Sequence, residues 1–176
     1  MLTVITGGSK NGKSHIAESV IGEYDLPKFY IATMEPYCDE AYEAIERHRK
    51  MRSGKGFRTI EKYTDIHEIE LPERCAVLLE CACNLCANEM FSAGEKEPVG
   101  KMLGGIKRLL ERAEVLVVVT NQVGDDGIEY PRETMDYIAN MGRFNAALAD
   151  MADCVIEAVY GIPLVIKGKE KLPCIF

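Results

Sequence analysis

Gly7-Gly8-Ser9-Lys10-Asn11-Gly12-Lys13-Ser14 sets a glycine, four residues, a second glycine, a lysine and a serine in order. Glycines let a backbone turn tightly and approach an anion closely. The N–H groups of such a turn, with a helix N-terminus behind them, form a phosphate cradle. Lys13 would reach the β- and γ-phosphates, and the Ser14 hydroxyl would ligate magnesium. The apolar run Leu2-Thr3-Val4-Ile5-Thr6 comes before the motif and a helical pattern follows it. A chance glycine turn needs neither flank, so the stretch reads as a P-loop.

Two further residues have the right chemistry. Glu80 closes the apolar run Ala76-Val77-Leu78-Leu79. A carboxylate at the end of a buried strand is costly unless used, and here it would hold magnesium; capping the next helix is the alternative. His48 lies in Ile45-Glu46-Arg47-His48-Arg49-Lys50 and shares a helix face with Ala41, Ala44, Ile45 and Arg52. By itself it reads more readily as a packed or surface histidine. Its cationic neighbours disfavour the protonated imidazole, which leaves the neutral form a nucleophile requires. Cys81, Cys83 and Cys86 invite a metal reading, but no second cysteine or histidine pair is spaced to complete a zinc site. Packing of small residues in a helix explains them better.

These residues need elements to position them. Apolar runs alternate with helical patterns, which predicts an α/β fold with a mostly parallel central sheet flanked by helices. Strands are expected at Leu2 to Thr6, Lys28 to Thr33, Arg58 to Lys62, Ala76 to Leu79, Val115 to Thr120, Val155 to Val159 and Leu164 to Ile166. Gly161-Ile162-Pro163 is expected to turn between the last two. Helices are expected from Lys13 to about Glu23, from about Asp39 to Arg52, and over Asn84 to Phe91. Two more are expected at Val99 to Arg112 and Arg132 to Met151. Ligands of such sheets bind beyond the carboxyl ends of the strands. That places the P-loop, Thr33 to Glu35, Glu80 and Asn121 to Gly124 at the site.

The 176 residues suit one catalytic domain over 1–168 with a short tail at 169–176. A net charge of −7 argues against nucleic acid as a partner. No apolar run is long enough to insert in a membrane, and no signal peptide is legible, so a cytoplasmic protein is expected.

The chain resembles the bifunctional adenosylcobinamide kinase/adenosylcobinamide-phosphate guanylyltransferase family of cobalamin biosynthesis. The resemblance runs from Thr6 to Ser14 through Tyr30-Ile31-Ala32-Thr33, Ile45 to Arg49 with Arg52 and Arg58-Thr59-Ile60-Glu61. It continues with Leu78-Leu79-Glu80-Cys81, Asn88, Thr120-Asn121-Gln122-Val123-Gly124, Gly142-Arg143-Phe144-Asn145 and Tyr160-Gly161-Ile162-Pro163-Leu164. The histidine–arginine segment and the Asn-x-Val-Gly segment are its most specific parts.

That resemblance implies a RecA-like P-loop NTPase assembled as a homotrimer. It implies phosphorylation of adenosylcobinamide with ATP or GTP, then transfer of GMP from GTP to the resulting phosphate, with Mg2+ required. His48 matches the position that becomes GMP-histidine, and Lys13 is the P-loop lysine. Nucleotide contacts carry over to Gly7, Gly8, Ser9, Lys10, Asn11, Gly12, Lys13 and Ser14. They carry over also to Ala32, Thr33, Met34, Arg49, Lys50, Met51, Arg52, Glu61 and Glu80, with Ser14 and Glu80 as metal ligands. Gln122 stands where the family has glutamate, and the loop Arg52 to Phe57 is one residue longer. A single-activity small-molecule kinase and a non-enzymatic nucleotide switch are the competing readings; neither needs His48.

Overall fold

The computed structural model describes residues 1–37, 42–43, 45–46, 49–50 and 54–172. Seven strands form one sheet: β1 (Leu2–Thr6), β2 (Lys28–Ala32), β3 (Phe57–Glu61), β4 (Cys75–Leu79), β5 (Ala113–Val119), β6 (Cys154–Val159) and β7 (Ile162–Lys167). Their order across the sheet is β3-β2-β4-β5-β1-β6-β7. Every pairing is parallel except β6 with β7. The carboxyl ends of β1 to β6 therefore share one edge.

The central strands are apolar on both faces because both are covered. Leu2, Val4, Ile31, Val77, Leu79, Leu116 and Val118 pack to one side. Their partners there come from α2 (Ala82–Ala87), α3 (Pro98–Leu110) and α4 (Arg132–Met151), through residues such as Leu85, Ile106 and Phe144. Ile5, Tyr30, Leu78, Val117 and Ile156 pack to the other side, against Ile16, Val20 and Ile21 of α1 (Lys13–Gly22). Among the described residues no helix is long and apolar enough to cross a membrane.

The expected sheet and its alternation with helices are present, and several boundaries move. β3 starts at Phe57 because that ring packs edge-on against Tyr30, 5.9 Å away. β7 starts at Ile162, so the turn is only Tyr160-Gly161 and not Gly161-Ile162-Pro163. Pro163 is accommodated because β7 is an edge strand. The helix expected over Asn84 to Phe91 begins at Ala82, with Cys81 extended before it, and widens into a π-helical turn over Asn88–Ser92. Of the helix expected from Asp39 to Arg52, the described residues Tyr42, Glu43, Ile45, Glu46, Arg49 and Lys50 are helical. His48, Met51 and Arg52 lie outside the described residues.

Candidate functional site

β1 delivers the P-loop to the carboxyl edge. Gly7 has φ 137°, and a Cβ there would sit 2.5 Å from the Ala158 carbonyl oxygen. Gly12 has φ 87°, and a Cβ there would press on Gly161 Cα at 3.1 Å. Both glycines are thus required by the turn and by β6 behind it. The Gly161 N–H donates to the Asn11 carbonyl at 3.1 Å, bracing the loop from the β6–β7 turn. Lys13 is buried, and its ammonium donates to the Gly8 carbonyl at 2.5 Å. Burial pulls its pKa below that of an ordinary lysine, and the negative character of Cys81 and Cys83 works against that shift. Ser14 lies in the first turn of α1, while Ser9 and Lys10 are exposed.

The cysteines sit where β4 becomes α2. Cys83 and Cys86 are buried in the core, as packing predicts. The Cys81 thiol donates to the Cys83 sulfur, which makes Cys83 the more acidic of the pair and Cys81 the less. Burial pushes Cys86 up to about 12. Among the described residues no cluster of metal-ligating side chains gathers here.

A second structure occupies the β2–β3 side of the same edge. It is a partly open hollow of about 100 Å³ with apolar walls from Ala32, Met34, Pro36 and Ile45. Glu46, Arg49, Glu61, Tyr63 and Glu80 supply its polar lining. The Arg49 guanidinium pairs with both Glu46 and Glu61. Glu80 is almost wholly buried at the end of β4. Of the residues expected at the site, this hollow gathers Ala32, Met34, Arg49, Glu61 and Glu80. Lys50 is exposed and does not line it. Thr33 is fully buried, and its hydroxyl donates to the Cys81 carbonyl at 2.8 Å.

Asn88 was legible only as part of a motif, and the structure gives it a task. Its buried amide donates to the Thr33 carbonyl at 2.8 Å and the Tyr63 carbonyl at 3.0 Å. It thereby ties the segment after β2 to the segment after β3. The next residue, Glu89, accepts the Asp65 N–H at 2.7 Å and pairs with Lys101 at 2.7 Å. Lys101 also meets Asp65 at 2.6 Å. Consecutive buried polar residues on one π-helical turn thus fasten the segments that follow β2 and β3, beside the hollow. Such turns concentrate at functional sites. Polar residues within an apolar helical stretch were the available signal.

At the end of β5, the Thr120 hydroxyl meets Asn145 Oδ1 at 2.7 Å, and Asn145 Nδ2 donates to the Asn121 carbonyl at 3.1 Å. Gln122 donates to Glu157 Oε1 at 3.0 Å. Glu157 of β6, which pairs with Thr6 of β1, thus sets a carboxylate beside the Gln122 amide.

Comparison with known proteins identifies the family of the chain. A family model described as cobinamide kinase / cobinamide phosphate guanyltransferase matches residues 3–166. The chain is 31% identical over 183 residues to the bifunctional adenosylcobalamin biosynthesis protein CobU of Escherichia coli (strain K12), covering 95% of this chain and 100% of that protein. It is 32% identical over 184 residues to the protein of the same name from Salmonella typhimurium, with 95% and 100% covered. It is 27% identical over 179 residues to the bifunctional adenosylcobalamin biosynthesis protein CobP of Pseudomonas aeruginosa, with 96% and 99% covered.

Proposed function

Because the chain belongs to the cobinamide kinase / cobinamide phosphate guanyltransferase family, we propose that it catalyses both reactions at one edge of one sheet, and that the second passes through GMP-His48. In the first, the alcohol oxygen of adenosylcobinamide takes the γ-phosphoryl group of ATP or GTP, its proton departs, and the nucleoside diphosphate leaves. In the second, neutral His48 attacks the α-phosphorus of GTP and pyrophosphate leaves. The substrate phosphate then displaces the imidazole from the guanylyl group, giving adenosylcobinamide-GDP. Two displacements replace one encounter between two highly charged phosphates.

The observation that carries this reading is the shared edge: a P-loop with a buried lysine and a charged hollow lined by Arg49, Glu61 and Glu80. The P-loop amides and Lys13 bind the phosphates, with Lys13 exchanging its Gly8 carbonyl for a phosphoryl oxygen. Arg49, held by Glu46 and Glu61, orients the nucleotide in the hollow. Glu46 and Arg49 come from the same run of sequence as His48.

Ser14 and Glu80 would hold Mg2+. Both offer hard oxygen donors, Ser14 in the first turn of α1 after β1 and Glu80 just beyond the end of β4, on the same carboxyl edge of the sheet. When bound, the ion supplies neutralisation of the charge that develops on the leaving phosphates. The same reading includes a homotrimer in the cytoplasm; light scattering after gel filtration checks the assembly.

The decisive experiment is covalent labelling with GTP carrying a radioactive α-phosphate, with magnesium, without corrinoid, and denatured in alkali because a phosphoramidate is lost in acid. Label on the wild-type protein, absent from His48→Asn and from γ-labelled controls, is expected. No label on a folded wild-type protein that binds GTP would sink the histidine step and leave a kinase alone.

A further inference from the structure

The β6–β7 turn carries an unusual residue. Val159 pairs with Ile162, so the loop has two residues, Tyr160 at φ 50° and Gly161 at φ 83°. Two left-handed residues in succession make the turn type for which Asn-Gly is the ordinary choice. A bulky residue at positive φ is a backbone outlier that calls for a reason. Packing offers none, because Tyr160 is 89% exposed.

Its surroundings supply a reason. The next residue, Gly161, touches the P-loop at Asn11 and Gly12. Gly161 and Pro163 also form one wall of an open hollow of about 510 Å³, whose other wall is α1 and the residue that ends it, at His15, Ile16, Ser19 and Glu23. This volume lies in the range of small-molecule sites. The hollow adjoins the P-loop on the side away from β4. An imidazole, a hydroxyl and a carboxylate, from His15, Ser19 and Glu23, join apolar and small residues around it, and the exposed Tyr160 immediately precedes Gly161 in its wall.

The two proposed reactions make different demands on one triphosphate. Transfer to an alcohol presents the γ-phosphorus to the acceptor. Attack by a histidine presents the α-phosphorus. With the β- and γ-phosphates held by one P-loop, a base seated on either flank presents a different phosphorus to the acceptor, and the β2–β3 hollow is one such flank.

We propose that the hollow between α1 and the β6–β7 turn seats the purine base of the nucleoside triphosphate used for phosphoryl transfer, with the Tyr160 ring stacked on it. Stacking on an aromatic face accepts any purine, so this seat binds ATP and GTP alike. The inference rests on the two-reaction reading above. It assigns to Tyr160 a contact with substrate that neither the motif nor the β2–β3 hollow provides.

Photolabelling with 8-azido-ATP in the presence of magnesium tests the seat directly. Label is expected on residues 15–23 or 160–166; label confined to residues 32–37 or 61–63 overturns the proposal. Calorimetric ATP binding gives the second arm. Tyr160→Asn removes the ring and suits the left-handed backbone, so the fold is kept. It should weaken ATP binding about tenfold, with Tyr160→Phe restoring it; a change below threefold in Tyr160→Asn overturns the stacking role. The two readings fail separately. A wild-type protein that takes the photolabel at residues 15–23 but phosphorylates no cobinamide keeps the seat and loses the proposed function.

Discussion

On the β2–β3 side of the P-loop, the walls of the hollow are side chains held by other side chains: Arg49 between Glu46 and Glu61, and two strand ends tied by Asn88. On the α1–β7 side, the hollow is framed by His15, Ile16, Ser19 and Glu23 on one wall and by Gly161 and Pro163 on the other, with the exposed Tyr160 next to Gly161 in sequence. The first space is the narrower, about 100 Å³; the second is wider and more open, about 510 Å³. A site that must choose one base and aim one phosphorus needs fixed charges. A site that only needs to hold a purine while chemistry happens elsewhere needs area. The comparison teaches how one P-loop can serve two reactions, with orientation decided by the flanks.

Lys13→Met gives the largest expected effect, because Lys13 is common to both sides. Both activities should fall roughly 10²–10³-fold, the scale of losing one preorganised charge on a developing anion. Steady-state rates of each half-reaction check this, and an effect on only one of them would break the shared-loop picture. Asn88→Ala should act on one side. We expect the GTP KM of guanylyl transfer to rise about tenfold, roughly 1.4 kcal/mol, with kcat changed far less. Amide hydrogen exchange should quicken at residues 33–37 and 61–65. Equal losses in both parameters would make Asn88 a general stabiliser instead.

The pH dependence is subtler. Burial lowers the Lys13 pKa in the folded protein, so between that value and about 10.4 the unfolded chain binds more protons. In this window stability contributed by Lys13 rises with pH, while phosphate binding, which needs the charged form, weakens. Parallel melting and GTP-binding titrations from pH 7 to 10.5 should therefore diverge, and Lys13→Met should remove the divergence. Smallest of all is Gln122→Glu. It sets a second carboxylate against Glu157 and should cost about 0.5–1 kcal/mol at pH 8. Melting curves should show the deficit vanish as pH falls through the carboxylate range.

Much of this architecture was readable beforehand, for physical reasons. Val115 to Thr120 and Ala76 to Leu79 are β-branched or apolar without interruption, which only a doubly covered strand tolerates. Gly7 and Gly12 announce a backbone that no other residue could follow. The hollow was readable in part: Met34 and Glu80 follow strand ends, where the rule that ligands sit beyond carboxyl ends finds them, whereas Ala32, Arg49 and Glu61 came only from the family resemblance. Asn88 escaped because its role depends on a π-helical turn, which has no local propensity signature. Tyr160 escaped because the turn was read one residue late. The pairing of Val159 with Ile162, a tertiary fact, makes it a two-residue loop. Thr33 shows the opposite limit. Its position at the site edge was readable, but the direction of its hydroxyl, toward Cys81, was not.

The wide turn at Asn88–Ser92 also bears on how this chain tolerates changes in length. Shortening it by one residue would give a regular helix, and each residue beyond the cut would rotate by about 100° about the axis. Local geometry would improve. Asn88 and Glu89 would no longer both face the loop that begins at Tyr63, and the two strand ends would part. In most helices a one-residue deletion is a defect in the helix; in this one it would repair the helix and unmake the hollow.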